Sequence, residues 1–179
     1  MKFRATSYFL AHLENLCKKP KDKYSSCRKD IAKAFPLNQT FGELWMSFDT
    51  ILDSGNIKIV KVRVPNSEQK IGKSGGFRCI CVLDRTTEEI IFLDVYPKQG
   101  KLAKDTVKGK ELEKVIEKYS VESDAGVVAE IDIYNKCAIV LPVQGADELI
   151  PEEEGLALVA FAIPPDDPLQ EEEDHKEEE

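Results

Sequence analysis

The chain has no apolar run approaching the roughly 18–20 residues that a bilayer-spanning helix needs. Its first residues, Met1-Lys2-Phe3-Arg4-Ala5, lead into a polar, helix-like segment and not into the apolar stretch of a signal peptide. The cysteines number five, an odd count, and none forms a CxxC pair. A disulfide framework is therefore not expected, and a reducing, cytoplasmic setting fits. Histidine is scarce: His12 and His175 stand far apart without ligand-like neighbours, so no metal or cofactor site is expected. No internal repeat is visible. Membrane, secreted and metalloenzyme classes are all poorly matched.

There is enough apolar material for a core. Of 179 residues, 42% are hydrophobic and 32% charged, which fits one domain or one domain with an appendage and not a chain disordered from end to end. Charge is split along the chain. Residues 1–120 hold 23 Lys+Arg against 15 Asp+Glu, and residues 121–179 hold 2 against 18, so a module of +8 precedes one of −16. A basic module suggests a polyanionic partner, and an acidic tail can compete for the same surface or simply aid solubility.

Spacing predicts the elements. Phe9, Leu10, Leu13, Leu16 and Cys17 form one stripe of a helix over residues 7–18, with Ser7 as its cap and Pro20 as its break. A second helix over about 25–35 carries Tyr24, Cys27, Ile31, Ala34 and Phe35 and stops at Pro36. The pair is expected to be antiparallel. Residues 37–56 read as a short helix or a packed loop. Ile57–Val64 is a strand with Val60, Val62 and Val64 on one face and Lys61 and Arg63 on the other. Residues 77–83 and 90–96 are strands apolar on both faces, joined closely enough for a hairpin. Cys79 and Cys81 share a face as small packed hydrophobes. Residues 109–119 form a helix with Leu112, Val115, Ile116 and Tyr119 toward the core. Residues 120–126 read as a linker, and Val127–Tyr134 and Cys137–Val143 as a hairpin turning at Asn135-Lys136. Glu152–Glu154 is a charge run, Gly155–Ile163 an apolar segment, and residues 164–179 a disordered acidic tail. The expected organisation is a domain over 1–120, an acidic β-rich extension over 121–163, and the tail.

Several basic groups could meet phosphate. Lys61 and Arg63 stand on one strand face, although a half-buried strand shows the same alternation with no ligand. Gly72-Lys73-Ser74-Gly75-Gly76 lacks the first glycine and the spacer of a Walker A loop, and it leads into a strand and not a helix, so nucleotide binding by that route is rejected. Lys70, Lys73 and Arg78 add charge around it. Tyr96 offers a ring for stacking and a hydroxyl for proton donation, or is a core tyrosine. Lys98, Lys101, Lys104, Lys108 and Lys110 follow as a basic stretch.

Taken in order, the basic strand Lys61-Val62-Arg63-Val64-Pro65, the run Gly72-Lys73-Ser74-Gly75-Gly76-Phe77-Arg78 entering a strand, the run Phe92-Leu93-Asp94-Val95-Tyr96-Pro97-Lys98 and the lysine-rich helix resemble the RelE/ParE toxin superfamily of type II toxin–antitoxin systems, in its HigB-like or RelE-like branch. The likeness covers about residues 1–120. It implies an α/β (α+β) domain with two N-terminal helices on a twisted, mostly antiparallel sheet whose other face is basic. It further implies a metal-independent, ribosome-dependent endoribonuclease in which the ribose 2′-OH attacks the adjacent phosphate of mRNA. By the resemblance, Lys61 is a base or charge stabiliser, Arg63 its partner, Arg78 a clamp on the scissile phosphate, and Lys98 and Tyr96 further catalytic candidates. Lys70, Lys73, Lys101 and Lys104 would hold the RNA backbone. No general acid matches, and Gln99 stands where some relatives carry arginine. Residues 121–179 have no counterpart in such toxins, and their charge suggests restraint in cis, including a strand added to a sheet edge, beside or in place of a cognate antitoxin. A non-enzymatic, ParE-like gyrase binder and a decayed RNA-binding module remain the alternatives.

Overall fold

The computed structural model describes residues 1–18 and 22–140. The fold is mixed α/β, with four helices and a seven-stranded, mostly antiparallel sheet. In chain order the elements are β1 (Lys2–Ala5), α1 (Ser7–Cys17), α2 (Cys27–Ala34), α3 (Phe41–Ser47), β2 (Asp49–Asp53), β3 (Ile57–Val64), β4 (Phe77–Asp84), β5 (Glu89–Pro97), α4 (Lys110–Asp124), β6 (Ala129–Asp132) and β7 (Ala138–Ile139). The strand order is β2-β3-β4-β5-β1-β6-β7. Among the described residues only β1 and β5 run parallel; β3, β4 and β5 form a continuous meander.

The three strands with the clearest pattern lie where the spacing predicts. β4 and β5 are central, and their residues are buried on both faces, which explains why they alternate so little. Cys79 and Cys81 point to the same face as Val60, Val62 and Val64 and meet Phe9, Leu13 and Leu16 of α1 with Cys27 and Ile31 of α2. Burial pushes both thiols well above the ordinary cysteine range, so they serve as packed apolar groups. On the other face Ile59, Ile80, Val82, Ile91, Leu93 and Tyr96 pack against Val115 of α4 and against Val107 in the loop before it. Tyr119 is half-buried on this side.

Three expectations are corrected, and one strand, β1, is added to them. The cap of α1 is Thr6, not Ser7: its hydroxyl accepts the Phe9 N–H at 3.2 Å, while the Ser7 N–H donates to Glu122. The N-terminal residues form β1, which is too short for its two buried positions, Phe3 and Ala5, to set a readable period. Residues 37–56 hold both a helix and a strand; α3 carries a full capping box between Thr40 and Glu43, and β2 shows no burial period because all five of its residues are exposed. Finally, the fold does not stop at 120. The helix expected to end at 119 runs to Asp124, β6 pairs with β1 at Arg4↔Glu130 and Ala5↔Ala129, and Ile131, Ile133 and Cys137 join the core. The expected hairpin exists in shortened form, β6 with β7, around a turn over 133–137. Pro20, the end of that expected hairpin at 141–143, the Glu152–Glu154 run, the 155–163 segment and the acidic tail lie outside the described residues.

Candidate nucleic-acid interface

β3 continues to Val64, whereas its pairing with β2 begins only at Asp49↔Lys61. The end of β3 therefore extends past its neighbour, and Lys61 and Arg63 stand on the face opposite the valines. Asp49 sits against both. The Arg63 Nε donates to Asp49 Oδ2 at 2.8 Å, the Arg63 Nη2 lies 2.8 Å from the same oxygen, and the Lys61 Nζ lies at 4.0 Å. Beside this cluster opens a cavity of about 300 Å³, lined by Lys33, Lys61, Arg63 and Lys73 with Asp49 and the α2–α3 connection around Pro36 and Gln39. Four cations and one carboxylate thus line one cavity, a setting that attracts phosphate groups.

Lys61, Arg63 and Lys73 are candidates that the sequence supplied; Lys33 is not. It sits in the last turn of α2, where it also reaches Asp30 at 3.4 Å. Nothing in its own neighbourhood marks it, because only the fold brings α2 beside β3.

Arg78 is placed differently from its expected role. It is 7% exposed and does not line the cavity. Its guanidinium donates to the carbonyls of Lys73 at 2.8 Å, Ser74 at 2.6 Å and Phe77 at 3.0 Å. Burial and the nearby Arg63 push its pKa down from the ordinary arginine value. The side chain is committed to shaping the Gly72–Gly76 loop, which carries Lys73, and does not line the cavity. Gly76 is required for the same reason: a Cβ there would collide with the backbone carbonyl of Val64 and crowd Asn66 N at 2.8 Å.

Tyr96 is 2% exposed, and its hydroxyl accepts the Val107 N–H at 3.3 Å. Burial raises its pKa. It is the core tyrosine, and its buried ring offers no stacking face. The Lys98 N–H donates to Gly76 O at 2.9 Å, which ties the loop after β5 to the glycine loop, and its Nζ reaches Lys104 O at 3.4 Å. Lys101 is exposed. Lys70 is exposed too, in a turn with φ of 57° outside the cavity lining. The candidates thus fall into two groups: Lys61, Arg63 and Lys73 at the cavity, and Lys98, Lys101 and Lys104 on the loop between β5 and α4.

One arrangement was not anticipated from the sequence. Asp94 is 0% exposed in the middle of an apolar strand. It accepts the Val95 N–H at 2.7 Å and lies 2.6 Å from His12 Nδ1, while Lys104 Nζ lies 3.8 Å from its second oxygen. A carboxylate inside Phe92-Leu93-Asp94-Val95 demands a partner, and that demand was the available signal. Strand addition also occurs away from the site: β6 extends the β1 side of the sheet, opposite the β2–β3 edge. Among the described residues no cluster of His, Cys, Asp and Glu suits a metal ion, and no helix is long and apolar enough to cross a membrane. No protein-family model, curated protein or solved structure matches the chain.

Proposed function

We propose that the chain is a toxin-like endoribonuclease of the RelE/ParE type, an mRNA interferase of a type II toxin–antitoxin system that acts in the cytoplasm on ribosome-bound mRNA. The observation that carries this reading is the convergence of Lys61, Arg63 and Lys73 with Lys33 around one cavity. Cations so placed bind successive phosphates of a single strand and stabilise charge that builds on a phosphorane when a ribose 2′-OH attacks. The cleavage leaves a 2′,3′-cyclic phosphate and a free 5′-hydroxyl and stops translation. Residues 121–179, with 18 of the chain's 33 Asp+Glu, supply a polyanion that competes with RNA for the same cations, in cis or beside a cognate antitoxin.

A second reading, an RNA-binding module without cleavage, is favoured by two placements: Arg78 and Tyr96, the groups expected at the scissile phosphate and as proton donor, are both engaged inside the fold. Mapping new mRNA 5′ ends after induction separates the two. The endonuclease reading expects cleavage that is lost in the double variant Lys61→Ala, Arg63→Ala. Binding to RNA with no new 5′ ends supports the module, and absence of both RNA binding and cleavage overturns both.

A further inference from the structure

The cationic cavity offers lysine and arginine side chains to phosphate but contains no side chain suited to moving a proton near neutral pH. Such a group stands elsewhere. His12 projects from α1 into a second, smaller cavity of about 100 Å³, lined also by Asn15, Tyr96, Pro97, Leu102 and Lys104. Its Nδ1 faces Asp94 Oδ1 at 2.6 Å. That oxygen also accepts the Val95 N–H, so in the neutral ring the tautomer that suits it has the proton on Nδ1 and the lone pair on Nε2. Among the described residues no hydrogen bond uses Nε2. The arrangement is that of a histidine base oriented by a buried carboxylate.

Two further observations mark the place as more than a packed histidine. Asp94 Oδ2 is buried with no hydrogen-bond partner, a costly condition in a natural core. Lys104 stands 3.8 Å from it, and although burial works against the lysine's charge, Asp94 and Glu111 outweigh burial and hold its pKa above the ordinary value. A permanent cation therefore sits next to the base. The site is also joined to the phosphate cavity. Lys98 is bonded to Gly76 in the loop that carries Lys73, and a Cβ at Gly75 would press on the Gln99 side chain. Lys73 stands on one of these two touching loops, and Lys98, Lys101 and Lys104 stand on the other. Across the sheet, Lys61 and Asp94 are both register partners of Ile80, which sets their backbones about 10 Å apart by strand spacing. A short run of one strand can reach both ends.

We propose that His12, oriented by Asp94, is the general base of the RNA cleavage, with Lys104 stabilising the phosphorane and the cavity at Lys33, Lys61, Arg63 and Lys73 gripping the same strand a short way along. The inference rests on the endoribonuclease reading. In the step, Nε2 takes the proton of a ribose 2′-OH, O2′ forms a bond to phosphorus, and the bond to O5′ breaks. The leaving oxygen takes a proton from solvent, and His12 returns its own to solvent. Tyr8, whose ring centroid lies 4.0 Å from that of His12, Asn15 on the same helix, Asp94 and Tyr96 of β5, Lys104, and Glu111 and Lys118 of α4 are the polar and charged groups that surround the base.

The test uses the full chain with ribosomes and a defined mRNA under single-turnover conditions, and an all-2′-deoxy oligonucleotide of the same sequence for binding and for NMR of the histidine rings. His12→Gln is expected to slow cleavage by about a hundredfold or more, to leave oligonucleotide affinity within about twofold, and to abolish the rise of rate with pH. Asp94→Asn is expected to slow cleavage less and to displace the pH profile. The oligonucleotide should shift the His12 ring signals in wild-type protein. Cleavage by a folded His12→Gln variant at the wild-type rate, or a loss of rate matched by an equal loss of affinity, overturns this proposal and leaves the endoribonuclease reading standing. A wild-type sequence that cuts no RNA, both as the full chain and as a folded chain ended after Val140, overturns both. Should the variants fail to fold, unmoved His12 signals in the wild-type titration overturn the proposal on their own.

Discussion

Arg63 holds Asp49 through two nitrogens, and both side chains are about half exposed. The pair contributes little to stability at such exposure, on the order of 1 kcal/mol or less, so its use is better sought in binding. Removing one cation that neutralises a phosphate of single-stranded nucleic acid should reduce the salt dependence of log K by about 0.7. Lys61→Ala and Arg63→Ala should each show that decrease in an affinity titration against salt, with melting temperature nearly unchanged. Asp30 differs in kind. It is buried, takes the Ser67 N–H at 2.8 Å, and lies 3.4 Å from Lys33. Burial alone would raise its pKa, but the Ser67 N–H and the Ser26, Ser67 and Lys33 side chains outweigh burial and hold it below the ordinary aspartate value. A carboxyl with a folded pKa below its unfolded pKa adds stability that is complete above about pH 4–5 and is lost as pH falls through the folded pKa. Asp30→Ala should therefore cost about 2–3 kcal/mol near neutral pH. The gap between the urea midpoints of wild type and variant should close as the pH is lowered below about 4, the ordinary aspartate value.

The glycine loop is the element on which the site turns. Arg78 fixes its carbonyls from below, and Gly76 allows the backbone of the loop to lie against that of Val64 and Pro65. Gly76→Ala puts a methyl group where the obstacle is backbone, which cannot rotate away. It should destabilise by about 2 kcal/mol or more and weaken RNA binding through Lys73, both measurable on one preparation by denaturation and titration. Legibility varied by element for physical reasons. β3 and the stripe of α1 were readable because one-sided burial imposes a period, and β4 and β5 because burial on both faces leaves long, largely apolar runs. β1 was too short to impose one, and β2, exposed throughout, is held by its ladder to β3 and not by hydrophobic side chains. Lys61 and Arg63 were legible because the same period placed them. Arg78 was legible as a charge but not as a commitment, since its carbonyl partners depend on how the loop folds back. His12 and Asp94 are 82 residues apart and meet only because α1 follows β1, the neighbour of β5.

For the whole molecule, a boundary at 120 cuts through α4 and removes Ile131, Ile133 and Cys137 from the core. A chain ended there should lose cooperative unfolding or solubility, because truncating a single large buried side chain costs about 2–5 kcal/mol and here several leave together. A chain ended after Val140 keeps every described strand and helix, and calorimetry should show its transition retained. Residues 1–140 hold 24 Lys+Arg against 19 Asp+Glu, while the full chain carries −8. Removal of 141–179 thus reverses the sign of the net charge. With restraint in cis, the shorter chain should bind single-stranded RNA about tenfold or more tightly at low salt, with the advantage shrinking as salt screens the tail. Equal affinities would assign the acidic segment to solubility.

The most direct measurement of the central claim is the mapping of new mRNA 5′ ends in cells expressing the chain ended after Val140, beside the same chain with Lys61→Ala and Arg63→Ala. An endoribonuclease built on this cationic cavity predicts phased internal cleavage with 5′-hydroxyl ends from the first and none from the second. Folded protein that generates no new ends, or equal cleavage from both, would contradict it.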